Sequence, residues 1–177
     1  ATSSTTKKER AVQRTENVKD KVASREAALK EKLAKFRDKK KAEATERIDN
    51  NLNKVNQKRM EMMLQHLDKM SSMLTRLENI VSRATTDGKD TSQATAAISS
   101  ARSAVNSAKV TIQTQSQKQY NLTVTSEGKV KDDAKSARDN LRTDLQSAHN
   151  LVVTARQAVA SAISTTKSTL GGSTNGK

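Results

Sequence analysis

"KQYNLTVTSEGKV", residues 118–130, is the one stretch of this chain that does not read as helix. It holds the only tyrosine, Tyr120, and alternates Tyr120, Leu122 and Val124 at the period of two that suits an extended strand. On either side the apolar residues recur at helical spacing. If the stretch reverses the chain, the flanking helices pack into a bundle. If it merely interrupts them, they form one arm of a single long hairpin.

N-terminal to it, Val18, Val22, Leu29, Leu33 and Phe36 share one stripe, followed by Ile48, Leu52 and Val55. From Met63 the run Leu67, Met70, Leu74, Leu77, Val81, Ala84 alternates steps of four and three, the a/d seam of a coiled coil. No glycine or proline falls between Val18 and Ala84, so a first helix is predicted over residues 16–84. Gly88 suits the left-handed residue after a helix, and Asp90, Thr91 or Ser92 can cap the next one. A second helix is predicted over 91–118 on the alanine-rich seam Ala94, Ile98, Ala101, Val105, Ala108, Ile112. A third, over 128–169, carries Val130, Ala134, Ala137, Leu141, Leu145, Ala148, Val152, Ala155, Val159 and Ala162.

The expected fold is therefore all-α: an elongated antiparallel coiled coil, built as a three-helix bundle over 48–169 with the basic part of the first helix, 16–47, projecting alone. A single long helical hairpin is the alternative. Residues 1–15 are expected to be frayed and 170–177, ending "GGSTNGK", disordered. The stretch 118–130 is a joint, with Tyr120, Leu122 and Val124 closing the end of the bundle.

Composition bounds the class. Leu, Ile, Val and Phe supply only 30 of 177 residues, too few for a large globular core. A narrow helical seam needs no more than that. No cysteine is present, which removes disulfides and thiolate metal sites, and no apolar run approaches the ~20 residues of a membrane span. The start "ATSSTTKKER" has the look of a chain trimmed of a secretory signal, and an extracellular or cell-envelope location is expected on that ground.

Net charge is +14, concentrated near the N-terminus. Lys21, Arg25, Lys32, Lys35 and Lys39 fall at heptad-compatible spacing with Lys40 and Lys41 beside them, a candidate stripe for a polyanion such as nucleic acid or acidic polysaccharide. A plain solvated face is the competing reading, supported by the (i, i+4) pairs Glu26–Lys30, Glu31–Lys35 and Glu43–Arg47. "RMEMMLQHLDKMSSM" gathers five methionines around His66, a mixture known from soft-metal sites, yet Met63 and Met70 sit on the seam and read as adaptable core. His66 and His149 are single histidines on separate helices. No nucleophile elbow, zinc-protease motif or glycine-rich phosphate loop occurs, so no enzyme, cofactor or metal is expected.

The segments "QKRMEMMLQHLDKM", "RLENIV", "YNLTVTSE" and "ARQAV", within residues 54–163, resemble a set of uncharacterised exported helical proteins from ultra-small candidate-phyla bacteria. The resemblance implies a cell-envelope or extracellular setting and carries no catalytic residue. In composition alone the chain is similar to the periplasmic chaperone Skp. The expected function is a non-enzymatic exported structural or interaction protein of the cell surface, a self-assembling or filament component included, whose partner is another copy or another helical protein. Polyanion binding through the basic N-terminal helix and a holdase chaperone are the alternatives.

Overall fold

The computed structural model describes residue 20 and residues 22–171; the expected frayed N-terminus, Lys21 and the last six residues lie outside them. The chain is an all-α helical bundle, and no strand occurs among the described residues. Helix α1 covers 22–34, α2 Lys39–Thr86, α3 Ser92–Ser116 and α4 Val130–Gly171. The chain divides into two compact units. Unit 1 joins the segment up to Asn51 with Asn121–Ala137, and unit 2 joins Leu52–Tyr120 with the segment from Arg138.

In unit 2 the seam does what its periodicity predicts. Leu67, Leu74 and Val81 from α2 meet Ala94, Ile98, Ala101, Val105, Ala108 and Ile112 from α3, and Ala148, Ala155, Val159 and Ala162 from α4, in one buried cluster. Alanine on α3 and α4 brings the backbones close, so the large side chains of α2 fill the space between them. A buried leucine here is worth ~2–5 kcal/mol against alanine. Two details differ from the periodic expectation. Met60 rather than Met63 is fully buried, and Val55, expected on the seam, is 43% exposed while Asn56 takes the buried position.

The ion pairs Asp68–Lys109 (2.7 Å) and Glu78–Arg102 (2.6 Å) advance along α2 while retreating along α3, so these helices are antiparallel. Their connection is the expected glycine stop. Gly88 has φ +79°, its N–H donates to the Thr85 carbonyl (3.0 Å), and the Lys89 N–H donates to the Ala84 carbonyl (3.0 Å). Those two bonds satisfy carbonyls the helix end leaves open. Asp90 then accepts the Ser92 N–H (3.0 Å) through Oδ1, and Thr91, buried, bonds Thr85 hydroxyl to hydroxyl (2.7 Å). Helix α4 lies along α2 in the same sense: Leu141 neighbours Arg59 and Met63, and Arg156 neighbours Met70. The chain has thus reversed between α3 and α4.

Unit 1 corrects the expectation of an unbroken first helix projecting alone. Helix α1 stops at 34, residues 35–38 turn, and α2 begins at Lys39 with the Asp38 carboxylate accepting the Lys41 N–H (3.1 Å) as its cap. Leu29, Leu33, Phe36 and Ala42 are buried, as are Leu122, Val124, Val130 and Ala134. Arg25–Asp49 (2.6 Å) and Lys30–Glu46 (3.8 Å) run in opposite senses, making α1 and the start of α2 a hairpin. Glu127 fixes the turn between them: its two carboxylate oxygens accept the backbone N–H groups of Arg37 and Asp38 (both 3.0 Å).

The extended stretch is held by side chains in place of a sheet. An isolated extended backbone has N–H and C=O groups that burial would leave unpaired. In unit 2, Asn53 accepts the Tyr120 N–H (2.8 Å) and donates to the Tyr120 carbonyl (3.2 Å), doing the work of a neighbouring strand. Asn56 donates to the carbonyls of Gln115 and Lys118 (3.1 Å each). In unit 1, Asp49 accepts the Leu122 N–H (2.8 Å), and Asp133 accepts both the N–H (2.9 Å) and the hydroxyl (2.8 Å) of Thr125. Among the described residues no buried side-chain nitrogen or oxygen lacks a partner.

Candidate functional site

The six described residues of the basic stripe do not share one open face. Lys21 lies outside the described residues. Arg25 is turned inward onto Asp49 and also donates to the Asn121 side chain. Lys32 Nζ donates to the Val124 carbonyl (3.4 Å), and Lys39 Nζ to the Ala34 carbonyl (3.0 Å). Lys35 pairs with Glu31 (3.0 Å) as the sequence predicts. Lys40 is exposed and Lys41 half-buried. The turn at 35–38 breaks the heptad register, leaving Arg25 and Lys32 on α1 and Lys39, Lys40 and Lys41 on α2.

Around Tyr120 a polar cluster closes the lower end of unit 2. The phenol donates to Asp144 (2.5 Å) and receives the Gln115 amide, while Lys118 pairs with the same carboxylate and stands 5.5 Å from the tyrosine ring centre. Burial raises the Tyr120 pKa well above the ordinary phenol range, with the hydrogen bond to Asp144 acting in the same direction and that from Gln115 opposing it. Asp144 moves down because Lys118 and Tyr120 both donate to it. These groups are engaged with one another, so the cluster is a clasp.

An open groove lies between α2 and α4 in unit 2. Two cavities of about 330 and about 260 Å3 share Arg59, Met63 and His149 and so form one groove. Its walls include Met62, Met70, Leu141, Leu145, Val152 and Val153. At its rim stand Arg142, Arg156 and His66, and no carboxylate lines either cavity. His66 and His149, single histidines on distant parts of the sequence, both line this groove. The described residues contain no group of three or more histidine, cysteine or carboxylate side chains able to hold a metal. No helix among them is long and apolar enough to cross a membrane.

A second cavity of about 490 Å3 between α2 and α3 is lined mainly by Ser, Thr and Asn around the Arg102–Glu78 pair. The groove between α2 and α4 was missed from sequence because it joins residues eighty positions apart. The α2 side carried a signal nonetheless, methionines at 62, 63 and 70 in excess of what one seam can bury. The asparagines that hold the extended stretch had a signal too: "DNNLNKVN", in which Asp49, Asn53 and Asn56 fall at helical steps of four and three. No protein-family model, curated protein or solved structure matches the chain.

Proposed function

We propose that the chain is a non-enzymatic helical interaction protein of the cell envelope or surface, built on an antiparallel three-helix core, that works by associating with other helices. The carrying observation is where its large apolar residues go. Val55, Met62, Met73, Ile80, Val110, Val153 and Ile163 stay 37–64% exposed in a chain that has few such residues to spare. Val55, Met62, Met73 and Ile80 recur on α2 at steps of 7, 11 and 7, which keeps them on one outward face. Apolar side chains gathered on one face of a helix favour association. Support also comes from the polar residues: Asp49, Asn53, Asn56, Glu127 and Asp144 are spent on holding backbone or neighbouring side chains.

Sedimentation of the purified chain over a hundredfold range of concentration tests the self-association this reading includes. Reversible growth in mass that is lost in Met73→Glu/Ile80→Glu is the expected result. A monomer of constant mass throughout removes self-association.

A further inference from the structure

We infer that the groove between α2 and α4 is a docking site for an amphipathic helix bearing acidic side chains, supplied by a partner other than this chain; the inference rests on the interaction reading above and names one of its partners. The floor of the groove is apolar and adaptable. Met63 and Met70 come from α2, and Leu141, Leu145 and Val152 from α4. Unbranched, polarizable methionine side chains reshape themselves to an incoming apolar surface. From Leu141 to Arg156 the α4 wall covers roughly 22 Å, the length of about four helical turns. An amphipathic helix laid in such a groove buries residues at i, i+3, i+4 and i+7.

Charge identifies the occupant. Arg59, Arg142 and Arg156 line the groove with His66 and His149, and none of the three arginines is in an ion pair among the described residues. Three acids of the same helices are engaged elsewhere, Asp68 and Glu78 with α3 and Asp144 with Lys118, and Glu61 and Asp139 line neither cavity. The groove therefore carries three arginines and no carboxylate in its lining. Arginine binds carboxylates in bidentate fashion and lies flat against apolar surface, which suits a rim. A second copy fits poorly, because the chain carries +14 overall and α3 has no acidic residue at all. A helix with glutamates or aspartates flanking a leucine-type stripe matches both the floor and the rim.

The test uses the full chain and a fluorescent peptide of about eighteen residues, four to five turns, with leucines at i, i+3, i+4, i+7 and i+11 and glutamates on the flanks. A scrambled peptide of identical composition and an oligoglutamate of equal charge serve as comparisons, read by fluorescence anisotropy. The patterned peptide should bind at least tenfold more tightly than either. Arg59→Glu/Arg156→Glu should weaken it at least tenfold, and Met63→Gln/Met70→Gln should weaken it without changing its salt dependence. Arg83→Glu, away from the groove, should leave it unchanged. Circular dichroism and thermal unfolding of each variant establish that the helices remain; should the charge-reversed pair unfold, the neutral pair Arg59→Gln/Arg156→Gln replaces it with the same expectation. Equal binding of patterned and scrambled peptides, equal binding of oligoglutamate, or indifference to the arginine substitutions would overturn the proposal. Sedimentation of the same variants keeps it separate from self-association: peptide binding without self-association leaves the groove standing, and self-association without peptide binding leaves only the broader reading.

Discussion

At the scale of single residues, the chain uses side chains to satisfy backbone that its secondary structure leaves open. Asn53 pairs with both main-chain groups of Tyr120, and Glu127 takes two consecutive amides of the α1–α2 turn. Titration follows from this. Glu127, Asp133 and Asp144 are all pulled below the ordinary carboxylate range by the donors they accept from, so their contributions are complete above about pH 5 and are lost as the pH falls through their folded values. Tyr120 behaves in the opposite sense. Its raised pKa gives stability that is complete below about pH 10 and is lost as the pH climbs through the folded value. As Tyr120 is the only tyrosine, phenolate absorbance reports it alone. The folded chain should titrate well above pH 10 and the denatured chain near 10. Tyr120→Phe should cost ~1–2 kcal/mol in denaturant unfolding at neutral pH, from losing the bonds the phenol makes with Asp144 and Gln115. A folded-state titration near 10 would mean that the phenol is not enclosed.

At the scale of elements, the helix ends show what is local and what is not. Gly88→Ala should cost ~1 kcal/mol, because the left-handed backbone at that residue is strained for any residue with a Cβ, although no atom crowds the position. A drop of several degrees in the thermal midpoint checks it, and an unchanged midpoint would show that the turn relaxes freely. Gly88 was legible in the sequence, as were α3 and α4 to within two residues at each end, because each depends on its own periodicity and a nearby breaker. The break at 35–38 was not. Apolar spacing continues through Leu33 and Phe36, no glycine or proline marks the turn, and the group that fixes it, Glu127, lies about ninety residues further on. Val55 and Asn56 show the same limit. Periodicity placed the valine inside, but the carbonyls of Gln115 and Lys118 needed an amide, and the helix presents Asn56 to them. The groove was illegible for a related reason: which bases face outward depends on which acids α3 has claimed.

At the scale of the whole molecule, the two units differ in how they are made. Unit 2 has the larger apolar cluster. Unit 1 relies more on single polar contacts, above all Arg25 with Asp49, whose side chain is 2% exposed. Arg25→Ala removes this ion pair from a buried carboxylate, a loss of ~2 kcal/mol after allowance for the arginine's partial exposure. Hydrogen exchange should then quicken about thirtyfold across 22–51 and 121–137. Amides of α3 should be unaffected, and equal acceleration in both units would show that they unfold as one. Each unit is composed of two separated segments, which sets an order of events within each. The contacts that complete unit 1 join residues 73 to 96 apart, as in Asp49 with Leu122 and Arg25 with Asn121. The α2–α3 pair of unit 2 closes over 24 positions at Glu78–Arg102. Nearby pairs are made first and distant ones wait on chain closure. At a synthesis rate of about 5–20 residues per second, the partners of residues 22–51 emerge roughly 4–19 s after them. Until 121–137 have followed, Leu29, Leu33 and Phe36 lack part of the surface that buries them in the finished unit.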